Sequence, residues 1–166
     1  YIITKQTHFR AWVAENPTVD DLKKELQQKR PVITLHHGFS LQNKNIPFLA
    51  TGSSFHVMVI TGYDDTTQEF ITNDPGDRVV GKGHRYGYDL FMKTLHDFDF
   101  NIRQASGPSR VLFTYPKLVQ TTAGTTIYYL QDNYRYPIYH TETLKKYGWK
   151  KEAVVLADSR WLARFA

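Results

Sequence analysis

Apolar residues fall into short clusters along this chain, and their spacing switches several times between helical and alternating periods. The first clear element is a helix. Thr18 followed by Asp21 has the form of an N-cap with an acidic residue three positions on. Val19, Leu22 and Leu26 share one helical face, while Lys23, Lys24 and Glu25 fall mostly on the solvent side. Pro31 ends this pattern, and Val32-Ile33-Thr34-Leu35 reads as a buried strand. Residues 38–54 carry Gly, Pro, Asn and Ser without periodicity, so they read as a long loop of the kind that is often functional.

Phe55 to Tyr63 is the strongest strand pattern. Val57, Val59 and Thr61 alternate with His56, Met58 and Ile60, so both faces are largely apolar and a central place in a sheet is predicted. Asp64 to Thr67 form a turn, Gln68 to Thr72 return as the second strand of a hairpin, and Asn73-Asp74-Pro75-Gly76 ends it. Gly81 to Gly87 reads as a loop, and residues 89–98 regain helical spacing through Leu90, Phe91, Leu95 and Phe98. Ala105 to Ser109 is a small-residue, turn-forming run that marks a boundary. Beyond it, strands are predicted at Arg110 to Tyr115, Thr125 to Gln131 and Tyr134 to Ile138, with helices at Thr141 to Gly148 and Asp158 to Phe165. The expected architecture is α+β, with units at 1–106 and 107–166.

Composition changes this picture in two ways. The net charge of +5 is carried wholly by residues 107–166, which hold 9 Lys/Arg against 4 Asp/Glu; residues 1–106 hold 12 of each. A uniformly basic nucleic-acid binder is thereby excluded, and a neutral domain with a basic, Tyr-rich appendage is indicated. The cysteine count is zero. A disulfide scaffold, a thiolate zinc site and any cysteine nucleophile within these residues are excluded with it. No apolar run approaches the roughly 18 to 20 residues a membrane helix needs, and no signal-peptide pattern is present. The chain opens on Tyr1, which raises the expectation of an upstream segment.

The hairpin brings candidate chemistry together. His56 opens one strand and Asn73-Asp74 closes the next, so antiparallel pairing sets an acid or amide beside the imidazole. That pair has the form of the base and orienter of a nucleophilic triad; on spacing alone such a histidine beside an Asp-Pro turn is more often structural. His36 and His37 are adjacent and point to opposite faces of a strand, and no metal-ligand spacing occurs, so neither a metal nor a cofactor is expected. Gly81-Lys82-Gly83 lacks the pattern of a phosphate-binding loop.

Glu15 to Ile33 (ENPTVDDLKKELQQKRPVI), His56 to Asp65 (HVMVITGYDD), Phe70 to Gly76 (FITNDPG) and Gly81 to Asp97 (GKGHRYGYDLFMKTLHD) occur in an order that carries a resemblance. Residues 15–100 resemble the second half of bacterial papain-like cysteine peptidases, the family-thirty-nine-like group related to the bacteriocin-processing, double-glycine-leader peptidases. The resemblance implies a papain-like antiparallel sheet half-domain and peptide-bond hydrolysis of a peptide or protein substrate. It implies His56 as general base and Asp74 as its orienter, with Asn73 a possible substitute. The nucleophilic Cys and the oxyanion donor of that family have no counterpart in these residues. Three explanations stand open: an upstream segment or companion chain that completes the fold, a peptidase-like module that binds or assembles without catalysis, or Ser53 or Ser54 as nucleophile. The last is poor, since Ser54 precedes His56 by two positions on one strand.

Tyr128 to Ala166 resembles short modules appended to bacterial secreted and cell-envelope proteins, which implies a secreted or envelope location and implies no chemistry. Its basic, aromatic surface admits an anionic cell-envelope polymer as partner for residues 107–166. The competing reading makes the Tyr and Trp residues the module's own core and the lysines a solvated face.

Overall fold

The computed structural model describes residues 8–46, 55–77, 79–132 and 134–166. The protein is α+β, with two sheets, and divides into two compact units. One comprises residues 12–113; the other joins residues 8–11 to residues 114–166.

β1 (Phe9–Glu15), β6 (Arg110–Pro116), β2 (Val32–His37), β3 (Phe55–Asp64), β4 (Glu69–Asn73) and β5 (Lys82–Gly87) form a six-stranded sheet in that spatial order. The stretch from β2 through β5 is antiparallel throughout, so β3 is central as its two-sided apolar pattern requires. β6 lies beyond residue 106 in sequence and pairs with β2, Val32 opposite Phe113. α1 (Val19–Gln27) begins at a full capping box: Thr18 Oγ1 accepts from the Asp21 N–H and the Asp21 carboxylate accepts from the Thr18 N–H. It lies against β3 and β2, burying Leu22 completely and Val19 and Leu26 in part.

Gly81 to Gly87, read from sequence as a loop, is mostly strand. Without β5, the outer edge of β4 would leave its backbone donors and acceptors unpaired. The register passes from Thr72 opposite His84 to Asn73 opposite Lys82, so Gly83 is an extra residue at φ +79°, the glycine bulge that a side chain would strain. The following helix, α2 (Tyr88–Thr94), is shorter than its sequence pattern: Leu95 leaves the helix and bridges back to His36. Phe91, wholly buried, packs with its ring centroid 4.4 Å from His36 and 4.9 Å from Phe70.

The smaller unit has the spatial order β10 (Val154–Ala157), β7 (Leu118–Thr121), β8 (Ile127–Gln131) and β9 (Tyr134–Ile138), with β10 parallel to β7. α3 (Thr141–Lys146) ends before Gly148 at φ +64°, and α4 (Ser159–Leu162) is capped by Asp158. Leu118, Val119, Leu130, Leu144, Trp161 and Phe165 fill its core. No helix among the described residues is long and apolar enough to cross a membrane.

Phe91 joins the aromatic core to α2, and its truncation leaves a cavity that the paired sheet cannot collapse into. Phe91→Ala is expected to cost about 3–5 kcal/mol, read as a lowered midpoint in urea unfolding; a loss below about 1 kcal/mol would show that this part of the core is loosely packed.

Candidate functional site

β3 alternates strictly from Phe55 to Ile60, which sends His56, Met58 and Ile60 to the buried face. β4 places Asn73 at an exposed strand end and turns Asp74 inward beneath it. The outcome is a contact of 2.7 Å between His56 Nε2 and Asp74 Oδ1, with both side chains almost fully buried. Asp74, and not Asn73, supplies the oxygen.

The carboxylate is held by more than the histidine. Oδ1 also accepts the Gly76 N–H at 2.9 Å, and Oδ2 accepts the Tyr86 hydroxyl at 2.7 Å. Burial pushes the Asp74 carboxyl up, but the bonds from His56, Tyr86 and Gly76 outweigh it and hold the group below the usual carboxylate range. An ionised carboxylate can only accept, so His56 Nε2 carries the proton and Nδ1 is the basic nitrogen of the ring. That is the tautomer a general base needs. Burial, reinforced by the bond to Asp74, pushes the Tyr86 hydroxyl far above its ordinary range, so it stays a donor.

A second layer steadies the first. Tyr86 accepts from Asn43 Nδ2 at 2.8 Å, and the same amide reaches Asp77 Oδ2 at 3.0 Å. Asp77 Oδ1 takes the Val79 and Val80 N–H groups, both at 2.8 Å, which closes the turn after Pro75. Burial raises the Asp77 carboxyl, and these donors, with Asn43 and Asn45, more than reverse it. His84 Nδ1 lies 2.9 Å from Asp77 Oδ2 but outside hydrogen-bonding geometry. The turn depends on Gly81: its carbonyl accepts the Asp74 N–H at 2.6 Å, and a Cβ there would stand 2.5 Å from the Asp77 carbonyl oxygen.

His36 faces His56 across the β2–β3 pair. Its Nδ1 is 3.0 Å from Thr94 Oγ1 and its Nε2 3.0 Å from Thr34 Oγ1. Both hydroxyls have an acceptor besides the ring: Thr94 Oγ1 lies 3.0 Å from the Phe91 carbonyl and Thr34 Oγ1 3.3 Å from the Met58 carbonyl. Burial, together with the neighbouring His56, pushes His36 down to about 3. It is a neutral core histidine and keeps like charge away from its neighbour.

Tyr86, Asn43 and Asp77 were not singled out from sequence. Tyr86 lies within the G-K-G-H-R-Y-G-Y-D stretch, where alternation along a strand would have exposed it; Asn43 carries no sequence signal of its own. Ser53 and Ser54 lie outside the described residues. Among the described residues no group of three or more His, Cys, Asp or Glu side chains is arranged to hold a metal.

A buried His–Asp pair at one end of an antiparallel hairpin, with a capped helix against the sheet, is consistent with a papain-like α+β arrangement. The model of the Peptidase_C39 like family matches residues 3–105, well over half of the chain, and the protein belongs to that family. No curated protein matches it.

The neutral, buried His36 links stability to acid. Its proton binds less readily in the folded chain than in the unfolded one, so its contribution is complete above about pH 6.5 and is lost as pH falls toward about 3. Over that window the unfolding free energy is expected to fall by up to about 1.4 kcal/mol per pH unit from this group. His36→Gln should flatten the slope in urea titrations at stepped pH, and an unchanged slope would assign the acid sensitivity elsewhere.

Proposed function

We propose that this chain works as a peptidase-like module that engages peptide without hydrolysing it. One observation carries this reading: a complete base-and-orienter pair stands in a sequence of 166 residues with no cysteine. Membership of the Peptidase_C39 like family supports an extended peptide as the ligand class. The resemblance to double-glycine-leader peptidases and to envelope modules supports a place in the bacterial secretion machinery or cell envelope. Residues 1–106 are read as the peptidase-like portion and 107–166 as the appended module; the family match, which ends at residue 105, supports that boundary.

A second reading is favoured by the tautomer of His56. In a papain-like cysteine peptidase whose thiol comes from polypeptide outside these residues, His56 Nδ1 would take the thiol proton. The thiolate would attack the substrate carbonyl, Asp74 would stabilise the imidazolium, and His56 would return the proton to the leaving amine. Tyr86 would keep Asp74 ionised and in place throughout.

The readings part on one experiment. Incubated with peptides ending in a double glycine, the purified chain is expected to bind them, with shifts in the His56 imidazole resonances, and to leave every bond intact. Cleavage that disappears in His56→Ala would overturn the non-catalytic reading and assign the nucleophile to a hydroxyl. Absence of any peptide-dependent shift would overturn the binding role. In protein joined to a thiol-bearing segment, hydrolysis lost in His56→Ala and slowed by about 10²–10⁴-fold would establish the second reading; equal rates would remove it.

A further inference from the structure

The smaller unit carries a groove that its core does not use. We propose that this groove, between the β8–β9 hairpin and the segment from α3 to Trp149, binds an acidic glycan. It has a volume of about 430 Å³ and is walled by Tyr129, Gln131, Tyr136, Thr143, Tyr147 and Trp149. Tyr129 stacks on Trp149 at 4.5 Å and 20°, and Tyr147 stacks on Trp149 at 4.9 Å and 22°, which fixes the wall. The rings contribute little to the core: Tyr136 and Tyr147 are 50% and 59% exposed, while Trp161 and Phe165 are buried beneath. The appendage's aromatics therefore divide into a core set and a surface set.

The lining mixes flat apolar faces with hydroxyls and a carboxamide, and the Arg10 guanidinium braces one side of it, bonded to the Tyr129 hydroxyl and to Gln131 Oε1. Gln131 is engaged by Arg10 and Asp132, so the groups that face a ligand are the hydroxyls of Thr143, Tyr136 and Tyr147; these match a sugar ring, whose C–H face packs on an aromatic ring while its hydroxyls exchange hydrogen bonds. Thr143 is shared with a second cleft of about 600 Å³, whose other lining includes Lys145 and Lys146. Lys145 is held by Glu142 at 2.9 Å with both side chains about three-quarters exposed, a weak pair that a ligand anion can exchange. One step along from the aromatic groove, the surface thus offers ammonium groups. Hydroxylated ring in the first cleft and carboxylate or phosphate in the second is the complementary ligand.

Nucleic acid fits less well. Each nucleotide brings a phosphate that needs a cation along the track, and the cation at the groove wall, Arg10, is already bonded to Tyr129 and Gln131. The proposal concerns the smaller unit and is independent of the role assigned to His56.

Affinity electrophoresis of the full chain at low salt tests it. Oligogalacturonate offers carboxylates, ribitol-phosphate teichoic acid offers phosphates, methyl-esterified oligogalacturonate offers the same sugars uncharged, and a twenty-residue oligothymidine offers nucleic acid. Retardation is expected with at least one of the two acidic glycans, and which one responds identifies the anion. Tyr147→Ala should weaken binding about tenfold, and its exposed ring makes the variant safe for folding, checked by an unchanged unfolding midpoint. Lys145→Ala with Lys146→Ala should weaken acidic-glycan binding about threefold and leave the ester unaffected. No retardation by either acidic glycan, retardation unchanged in Tyr147→Ala, or tighter binding of oligothymidine would overturn the proposal.

Discussion

A carboxylate buried to 2% exposure sets the terms for the larger unit. Removing an ionised group from water costs several kcal/mol unless donors replace the lost hydration. Asp74 obtains three, from His56 on β3, Tyr86 on β5 and the Gly76 N–H in the intervening turn. Those groups coincide only if three strands are paired in one register. A slip of one residue on β3 would send His56 to the other face and leave Asp74 charged and unpaired. The backbone irregularities nearby follow from the same demand. The extra residue at Gly83 re-aims the strand, and Gly81 admits the close approach that closes the turn over Asp74.

Much of this was legible because local chemistry and tertiary need agree. The Thr18–Asp21 box, the β3 alternation and the Asn73-Asp74-Pro75-Gly76 stop each encode their element within a few residues, and antiparallel pairing then delivers Asp74 to His56. What stayed hidden depends on partners distant in sequence. β1 and β10 lack clear alternation and exist by pairing with β6 and β7. β5 has two glycines and two basic residues among six, a composition that resembles a loop until β4 supplies its ladder. Asn43 reaches Tyr86 and Asp77 across 43 and 34 residues, a link no window along the chain can reveal. The basic tail was visible as charge, but its division of aromatics into core and groove required the β8–β9 hairpin.

The same network bears on how much catalysis an intact His–Asp pair implies. In an active peptidase the pair is maintained by the need to move a proton. Here Asp74 also anchors Tyr86, Tyr86 engages Asn43, and Asn43 steadies the Asp77 turn, so deleting either member would leave a buried polar group unsatisfied. A chain without a thiol therefore has a physical reason to keep the pair. Stability alone, however, requires only that the donors and acceptors match. Matching an Asp74 that can only accept already sets the proton on His56 Nε2, and burial alone suffices to hold His36 neutral. An apolar replacement of the whole set would serve packing as well. What an apolar set would not supply is an imidazole paired with a carboxylate at the β3–β4 end of the sheet, and the function proposed for this unit rests on that pair.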